Sequence, residues 1–306
     1  MKSLRKFESV EDARVSLEGA GYICSNLIAT VVFLAQATHK PVLIEGPAGV
    51  GKTELAKAVA RCLKRELIRL QCYEGLDEAK ALYEWEYAKQ LLYTQMVKEK
   101  ISDVVAGARS IAEAVDRIAA QEDAFFSERF IQPRPLLQAI SAAQPVALLI
   151  DEVDKSDPEF EAFLLEVLSD FQVSIPELGT RKARHIPMVF LTSNDSRDMS
   201  DALKRRCLHL YIDYPERDLE LKIVQLKFPN IEDRLAAQLV DAIRRVRTMD
   251  LKKKPAISET LDWAQALIAL QVEDLSPDVL RETLNVICKH RSDVQLVSEK
   301  IGKVMR

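Results

Sequence analysis

One stretch limits what this chain can fold into more than any other. Val42-Leu43-Ile44-Glu45 is a short apolar run, Gly46-Pro47-Ala48-Gly49-Val50-Gly51-Lys52-Thr53 follows it, and helical periodicity then runs from Thr53 to about Lys64. An apolar run closed by a glycine-rich turn marks a buried parallel strand. The glycines let successive backbone N–H groups turn inward around phosphate oxygens, and the start of the next helix adds its partial positive charge. All fixed positions of the pattern G-x-x-x-x-G-K-T are present between a strand and a helix, the context that the pattern needs. Lys52 is placed to reach terminal phosphates as a mobile cation, and Thr53 to offer a hydroxyl to Mg²⁺. The expectation is a nucleoside triphosphate site, for ATP with Mg²⁺.

Three further elements join that loop. Ala147-Leu148-Leu149-Ile150 runs into Asp151-Glu152, about a hundred residues downstream. Asp151 at the carboxyl end of a buried strand suits a magnesium held through water, and Glu152 suits the orientation of an attacking water. Thr192-Ser193-Asn194 ends the next apolar strand, where the Asn194 amide can meet a terminal phosphate or that water. A plain turn residue is the competing reading for Asn194. Leu203-Lys204-Arg205-Arg206-Cys207 precedes the last strand candidate. A guanidinium is well matched to phosphate charge in a transition state, so Arg205 and Arg206 are candidates, with Arg206 ranked first. A solvated basic helix end is their bland alternative. Asp157 before Pro158 reads as a helix N-cap.

Along the chain, residues 10 to 38 read as two helices broken near Gly19 and Gly21, the second spanning Ile23 to Thr38. Strands are expected at 42–45, 67–71, 145–150, 187–192 and 208–212. From 75 to 124 nearly everything reads helical, with an amphipathic helix over 101 to 120. A helix is expected over 158 to 170. A short hairpin, Gln172 to Ile175 with Arg181 to His185, follows it. Beyond Tyr214-Pro215 the pattern is all helical. Strands alternating with helices, then helices alone, argue a parallel α/β domain with an appended bundle. The expected division is 1–215, with a helical insertion at about 86–130, and 216–306.

Composition narrows the partners. The 306 residues carry a net charge of -4, so no global basic field exists to hold nucleic acid or an anionic membrane. The five cysteines are scattered, without a Cys-x-x-Cys pair, and the four histidines show no metal-ligand spacing. Free thiols in a reducing cytoplasm are expected rather than disulfides or zinc. The apolar stretch 23–37 is too short to span a bilayer, so a cytoplasmic protein without stable membrane insertion is expected.

The phosphate loop, Asp151-Glu152, Asn194 and Arg205-Arg206, in that order, resemble the AAA+ ATPases. The chain is more narrowly similar to the MoxR group. Within it, Leu70-Gln71-Cys72-Tyr73-Glu74-Gly75, Ala81-Leu82-Tyr83-Glu84-Trp85, Arg134-Pro135-Leu136-Leu137-Gln138-Ala139 and the run Phe160 to Phe171 resemble the CoxD-like ATPases. Ile175-Pro176-Glu177-Leu178-Gly179-Thr180 and the run Ser200 to Cys207 add to that likeness. CoxD-like ATPases are linked to maturation of carbon monoxide dehydrogenase and related molybdenum hydroxylases. The resemblance implies a five-stranded parallel P-loop NTPase core with a helical lid, and a homo-hexamer with nucleotide between subunits. It also implies a von Willebrand A domain partner and chaperone-like remodelling of a client metalloenzyme. By the same likeness Gly46 to Thr53 is the Walker A loop, Asp151 and Glu152 the Walker B pair, and Asn194 sensor 1. Arg205 or Arg206 is then the arginine finger.

The chain departs from that pattern twice. Lys253 to Thr260, where a sensor 2 arginine is expected at the start of a lid helix, holds none, so that either Lys254 substitutes or the role is absent. The helical segment at about 95–125 is longer than the branch leads one to expect. Two other functions stay open at this level. The runs Arg244-Arg245-Val246-Arg247 and Lys252-Lys253-Lys254 suit a DNA-acting ATPase, against the acidic balance of the chain. A nucleotide-gated scaffold without turnover is the other, against the intact Asp151-Glu152 pair.

Overall fold

The computed structural model describes residues 5–96, 110, 112–113, 128–176 and 179–305. Two helices come first, α1 (Val10–Gly19) and α2 (Asn26–Thr38), followed by β1 (Val42–Glu45), α3 (Lys52–Leu63) and β2 (Leu67–Gln71). Next are α4 (Glu78–Leu82), β3 (Tyr83–Trp85), α5 (Tyr87–Met96), β4 (Ile131–Pro133), α6 (Pro135–Ser141) and β5 (Ala147–Asp151). Then come α7 (Pro158–Asp170), β6 (Gln172–Ile175), β7 (Gly179–Lys182), β8 (Met188–Ser193), α8 (Asp201–Arg206) and β9 (Leu208–Tyr211). The rest is helical: α9 (Arg217–Lys227), α10 (Asp233–Arg247), α11 (Ile257–Ala269), α12 (Pro277–Ile287), α13 (Arg291–Glu299) and α14 (Ile301–Val304).

A five-stranded sheet runs in the order β2-β5-β8-β1-β9, and every pairing in it is parallel. This is the expected α/β P-loop architecture. Its central strands are apolar without alternation because both faces are covered: every residue of β1, β5 and β8 is buried. Successive side chains nevertheless part to opposite faces. Leu43, Leu148, Ile150, Val189 and Leu191 pack with Phe160, Leu164 and Val167 of α7. Val42, Ile44, Leu149 and Phe190 pack with Leu17, Val32, Leu55 and Val59 of the first three helices. A third apolar cluster, which includes Leu239, Ile243, Trp263 and Leu284, is drawn wholly from the helices after β9 and the turns that join them. Inside it the Trp263 indole donates to Thr283 Oγ1 at 2.8 Å.

Several local expectations change. The second helix begins at Asn26, not Ile23, because Ser25 caps it and accepts from the Ile28 N–H. The nearly all-helical reading of 75–124 is wrong at Tyr83–Trp85. These residues form a strand antiparallel to Ile131–Pro133, favoured by the aromatics and by Trp85 meeting Phe130. The hairpin forms, but its second strand is Gly179–Lys182 rather than 181–185, with Ile175 opposite Gly179. Asp157 stands at the N-cap of α7, yet its side chain accepts no capping hydrogen bond. The amphipathic helix over 101–120 lies outside the described residues.

Candidate functional site

The sheet delivers the loop at its centre. β1 lies between β8 and β9, and the chain leaves it at Gly46, whose φ is 142°. A Cβ there would stand 2.0 Å from the Ile212 carbonyl oxygen, so no side chain fits without parting β1 from the chain after β9. Gly49, with φ 82°, faces the start of α11; a Cβ there would meet Ser258 Oγ at 2.4 Å. The loop then enters α3, whose first amides face the site. Lys52 is buried, and its ammonium donates to Gly46 O at 2.6 Å and Pro47 O at 2.7 Å. Burial pulls its pKa below the usual lysine range, while the negative charges of Asp154, Asp151 and Glu152 oppose that shift.

Asp151 ends β5 and gathers four elements. Its Oδ1 accepts from Thr53 Oγ1 at 2.9 Å and Thr192 Oγ1 at 2.5 Å. Its Oδ2 accepts from Arg69 Nε at 3.0 Å and Nη2 at 2.5 Å. Thr192 also accepts the Glu152 N–H at 2.9 Å, so one hydroxyl on β8 fixes both members of the acidic pair. Glu152 has φ 57°, a left-handed conformation that costs a non-glycine residue about 1–3 kcal/mol and turns its carboxylate out of the strand line. That carboxylate accepts from Gln71 Nε2 at 3.0 Å and pairs with Lys155. Thr53 and Asp151 present hard oxygen donors, the chemistry Mg²⁺ takes beside phosphate and water. Among the described residues no cluster of three or more His, Cys, Asp or Glu offers an all-protein metal cage.

One cavity of about 610 Å³ is lined by the loop from Ala48 to Thr53 and by Asp151, Glu152, Thr192 and Asn194, while Gly46 and Pro47 stay outside its wall. That volume is typical of a small-molecule site. Its lining also includes Tyr22, Ile23, Ile28, Leu219, Ile223 and Leu261. A ligand that joins a polyanionic part to an apolar part matches this mixed lining. Arg205 and Arg206 do not line this cavity; both are exposed on α8. Arg206 donates to Ser169 Oγ on α7, and no hydrogen bond or ion pair is described for Arg205. Lys254 is exposed and outside the cavity wall, while Lys253 pairs with Glu259 at 3.4 Å.

Arg69, Gln71 and Lys155, and the apolar lining of the cavity, do not stand out in the sequence as site residues. The signal for the first two was present: Arg69 and Gln71 are the polar members of an alternating strand beside β5. Tyr22, Leu219 and Leu261 come from three distant segments, and no local pattern joins them.

Comparison with known proteins gives the geometry a setting. The AAA domain of the dynein-related subfamily matches residues 41–207. A gas vesicle ATPase of Halobacterium salinarum is 25% identical over 86% of this chain and 72% of its own length. The gas vesicle ATPase GvpN of Haloferax mediterranei is 26% identical over 87% and 74%. Among solved structures, the RuvB Holliday junction branch migration motor of Thermotoga maritima superposes with a TM-score of 0.47 at 16% identity, over 88% of this chain and 68% of that one. No helix among the described residues is long and apolar enough to cross a membrane.

Proposed function

Because the chain belongs to the AAA domain family, dynein-related subfamily, we propose that it is a MoxR-type ATPase that hydrolyses ATP to remodel or activate a client protein. The observation that carries this reading is the junction at Asp151, where Thr53 of the loop and Thr192 of β8 meet one carboxylate oxygen beside Glu152. Lys52 and the first amides of α3 hold the terminal phosphates, with Thr53 and Asp151 as the Mg²⁺ ligands, Asp151 partly through water. Glu152 takes a proton from a water whose oxygen attacks the terminal phosphorus, and the bond to the bridging oxygen breaks to leave ADP and phosphate. Asn194 positions that water or the terminal phosphate. For this work Glu152 exchanges its contacts with Gln71 and Lys155 for the water.

In a ring, most simply a hexamer, Arg205 or Arg206 reaches the neighbouring subunit's nucleotide. Their exposure outside the chain's own cavity supports that role. Arg205, with no described partner, then leads Arg206, reversing the ranking made from sequence. The CoxD-like motifs support a von Willebrand A domain partner and a client metalloenzyme of the molybdenum hydroxylase class, in the cytoplasm. The two domains of the reading are 1–215 and 216–306. The gas vesicle names of the relatives favour a second reading, in which the remodelled client is part of a gas vesicle.

The test is Glu152→Gln in the full chain. ADP binding by calorimetry should be retained and turnover should fall by about a hundredfold or more. Unchanged turnover would remove Glu152 as the base. The proteins retained by this ATP-loaded variant would decide between metalloenzyme and gas vesicle clients.

A further inference from the structure

The segment between Asn194 and the arginine pair is gripped along its length. Glu161, in the first turn of α7, is 3% exposed. Its Oε1 accepts the backbone N–H of Ser200, the N-cap of α8, at 2.8 Å. Its Oε2 accepts from Arg197 Nη1 at 3.0 Å. Arg197 also donates from Nη2 to Ser156 O at 2.9 Å. Asp154, two residues past Glu152, accepts from Ser196 Oγ at 2.5 Å and Ser196 N at 3.3 Å. On α8 itself, Lys204 Nζ lies 3.9 Å from Glu45 Oε1, at the residue before the phosphate loop. A buried carboxylate is kept charged only where donors compensate it, and among the described residues the donors to Glu161 come from the 197–200 stretch.

We propose that Glu161 and Arg197 are positioning residues that tie the arginine helix α8 to the nucleotide-contacting ends of β5 and β8, so that Arg205 and Arg206 are aimed according to what the cavity holds. This rests on the ATPase reading and on the assignment of the arginine pair. The path is continuous. Asn194 lines the cavity, Ser196 is held by Asp154, Arg197 and Ser200 are held by Glu161, and α8 begins at the next residue. Among the described residues, two buried polar atoms of the clamp, Asp154 Oδ1 and Arg197 Nε, have no hydrogen-bond partner. One is an acceptor and the other a donor.

The test is a double-mutant cycle on steady-state ATP hydrolysis by the full chain, with Glu161→Ala crossed against Arg205→Ala/Arg206→Ala. A misaimed group costs about a hundredfold in rate. Glu161→Ala should therefore lower kcat by about that factor in the wild-type background, with ADP affinity unchanged, and Glu161→Gln should recover part of the loss. In the arginine-less background Glu161→Ala should cost nothing further. Additive losses, or an ADP affinity that falls in step with kcat, would overturn the clamp while leaving the ATPase reading intact. An arginine-less protein as fast as wild type would overturn the assignment of the pair, and the clamp's role with it. Should Glu161→Ala not fold, Arg197→Gln on the less buried partner enters the same cycle.

Discussion

Replacing Glu220 with Gln perturbs the most deeply buried charge of the helical region. Glu220 on α9 is 0% exposed and Arg247 at the end of α10 is 8% exposed. They form a two-pronged pair, Nη1 to Oε2 and Nη2 to Oε1, both at 2.6 Å. Thr260 Oγ1 of α11 donates to Oε1 at 2.7 Å, and Arg247 Nε donates to Pro255 O at 2.6 Å. The guanidinium also lies 5.1 Å from the Tyr214 ring centre. One ion pair thus joins three helices to the chain that enters them. Taking away one partner leaves the other charge buried, which costs about 3–5 kcal/mol. The amide keeps the shape and one acceptor, so the low end, about 3 kcal/mol, applies. With a slope of about 2 kcal/mol per molar urea, the midpoint should fall by about 1.5 M. Trp263 is fully buried in this region, and its fluorescence in a Trp85→Phe background reports this region alone, since the chain has two tryptophans. Glu220→Met/Arg247→Met, which removes both charges, should recover most of the loss. A midpoint shift below about 0.3 M for Glu220→Gln, or a double variant as unstable as the summed singles, would refute the reasoning.

Three other outcomes follow from the site. Gly46→Ala should weaken ADP binding by about tenfold or more, from positive-φ strain of about 1–3 kcal/mol and the collision with Ile212 O. Calorimetry should show this while the Trp263 unfolding transition stays in place. Thr192→Val removes the hydroxyl shared by Asp151 and Glu152, a loss of about 1–3 kcal/mol. The Mg²⁺ concentration needed for nucleotide binding should rise in a titration, with Mg²⁺-free binding unchanged. Glu259 supplies the pH dependence. Burial works to raise its carboxyl, but the Ala256 N–H, the Ser258 hydroxyl and the charge of Lys253 outweigh it and hold the pKa below 4.5. A depressed carboxyl stabilises the fold above its unfolded pKa, and that contribution is lost as pH falls through the folded value. Stability measured by urea from pH 6 downward should therefore drop less steeply for Glu259→Gln than for wild type below about pH 4.5; equal slopes would count against the assignment.

The loop was legible because its strand, turn and helix are contiguous, and each enforces its pattern locally. Asp151 and Glu152 were legible because an apolar run with nothing to alternate must be an inner strand. What was not legible came from registration between strands. Arg69 reaches Asp151 only because β2 lies beside β5 with Gln71 opposite Asp151, and nothing in 67–71 names that neighbour. Tyr83–Trp85 reads as helix in the sequence because its strand partner, 131–133, lies far along the chain. Arg206 ranked first on sequence because nothing there foretold Ser169 as its partner.

The two tight glycines hold different kinds of contact. Gly46 is closed over by Ile212, just before the Tyr214-Pro215 connection, and Gly49 by Ala256 and Ser258, well after it. The loop is therefore pinned at its root by the sheet and covered at its crown by the helical region. If the helices swing about residues 213–216, the root stays fixed while the crown is uncovered. Opening would then release the Ser258 N–H from the Gly49 carbonyl, now 3.3 Å apart, and free a backbone oxygen in the middle of the phosphate loop. Access for nucleotide and slackness of its cradle thus become one event rather than two.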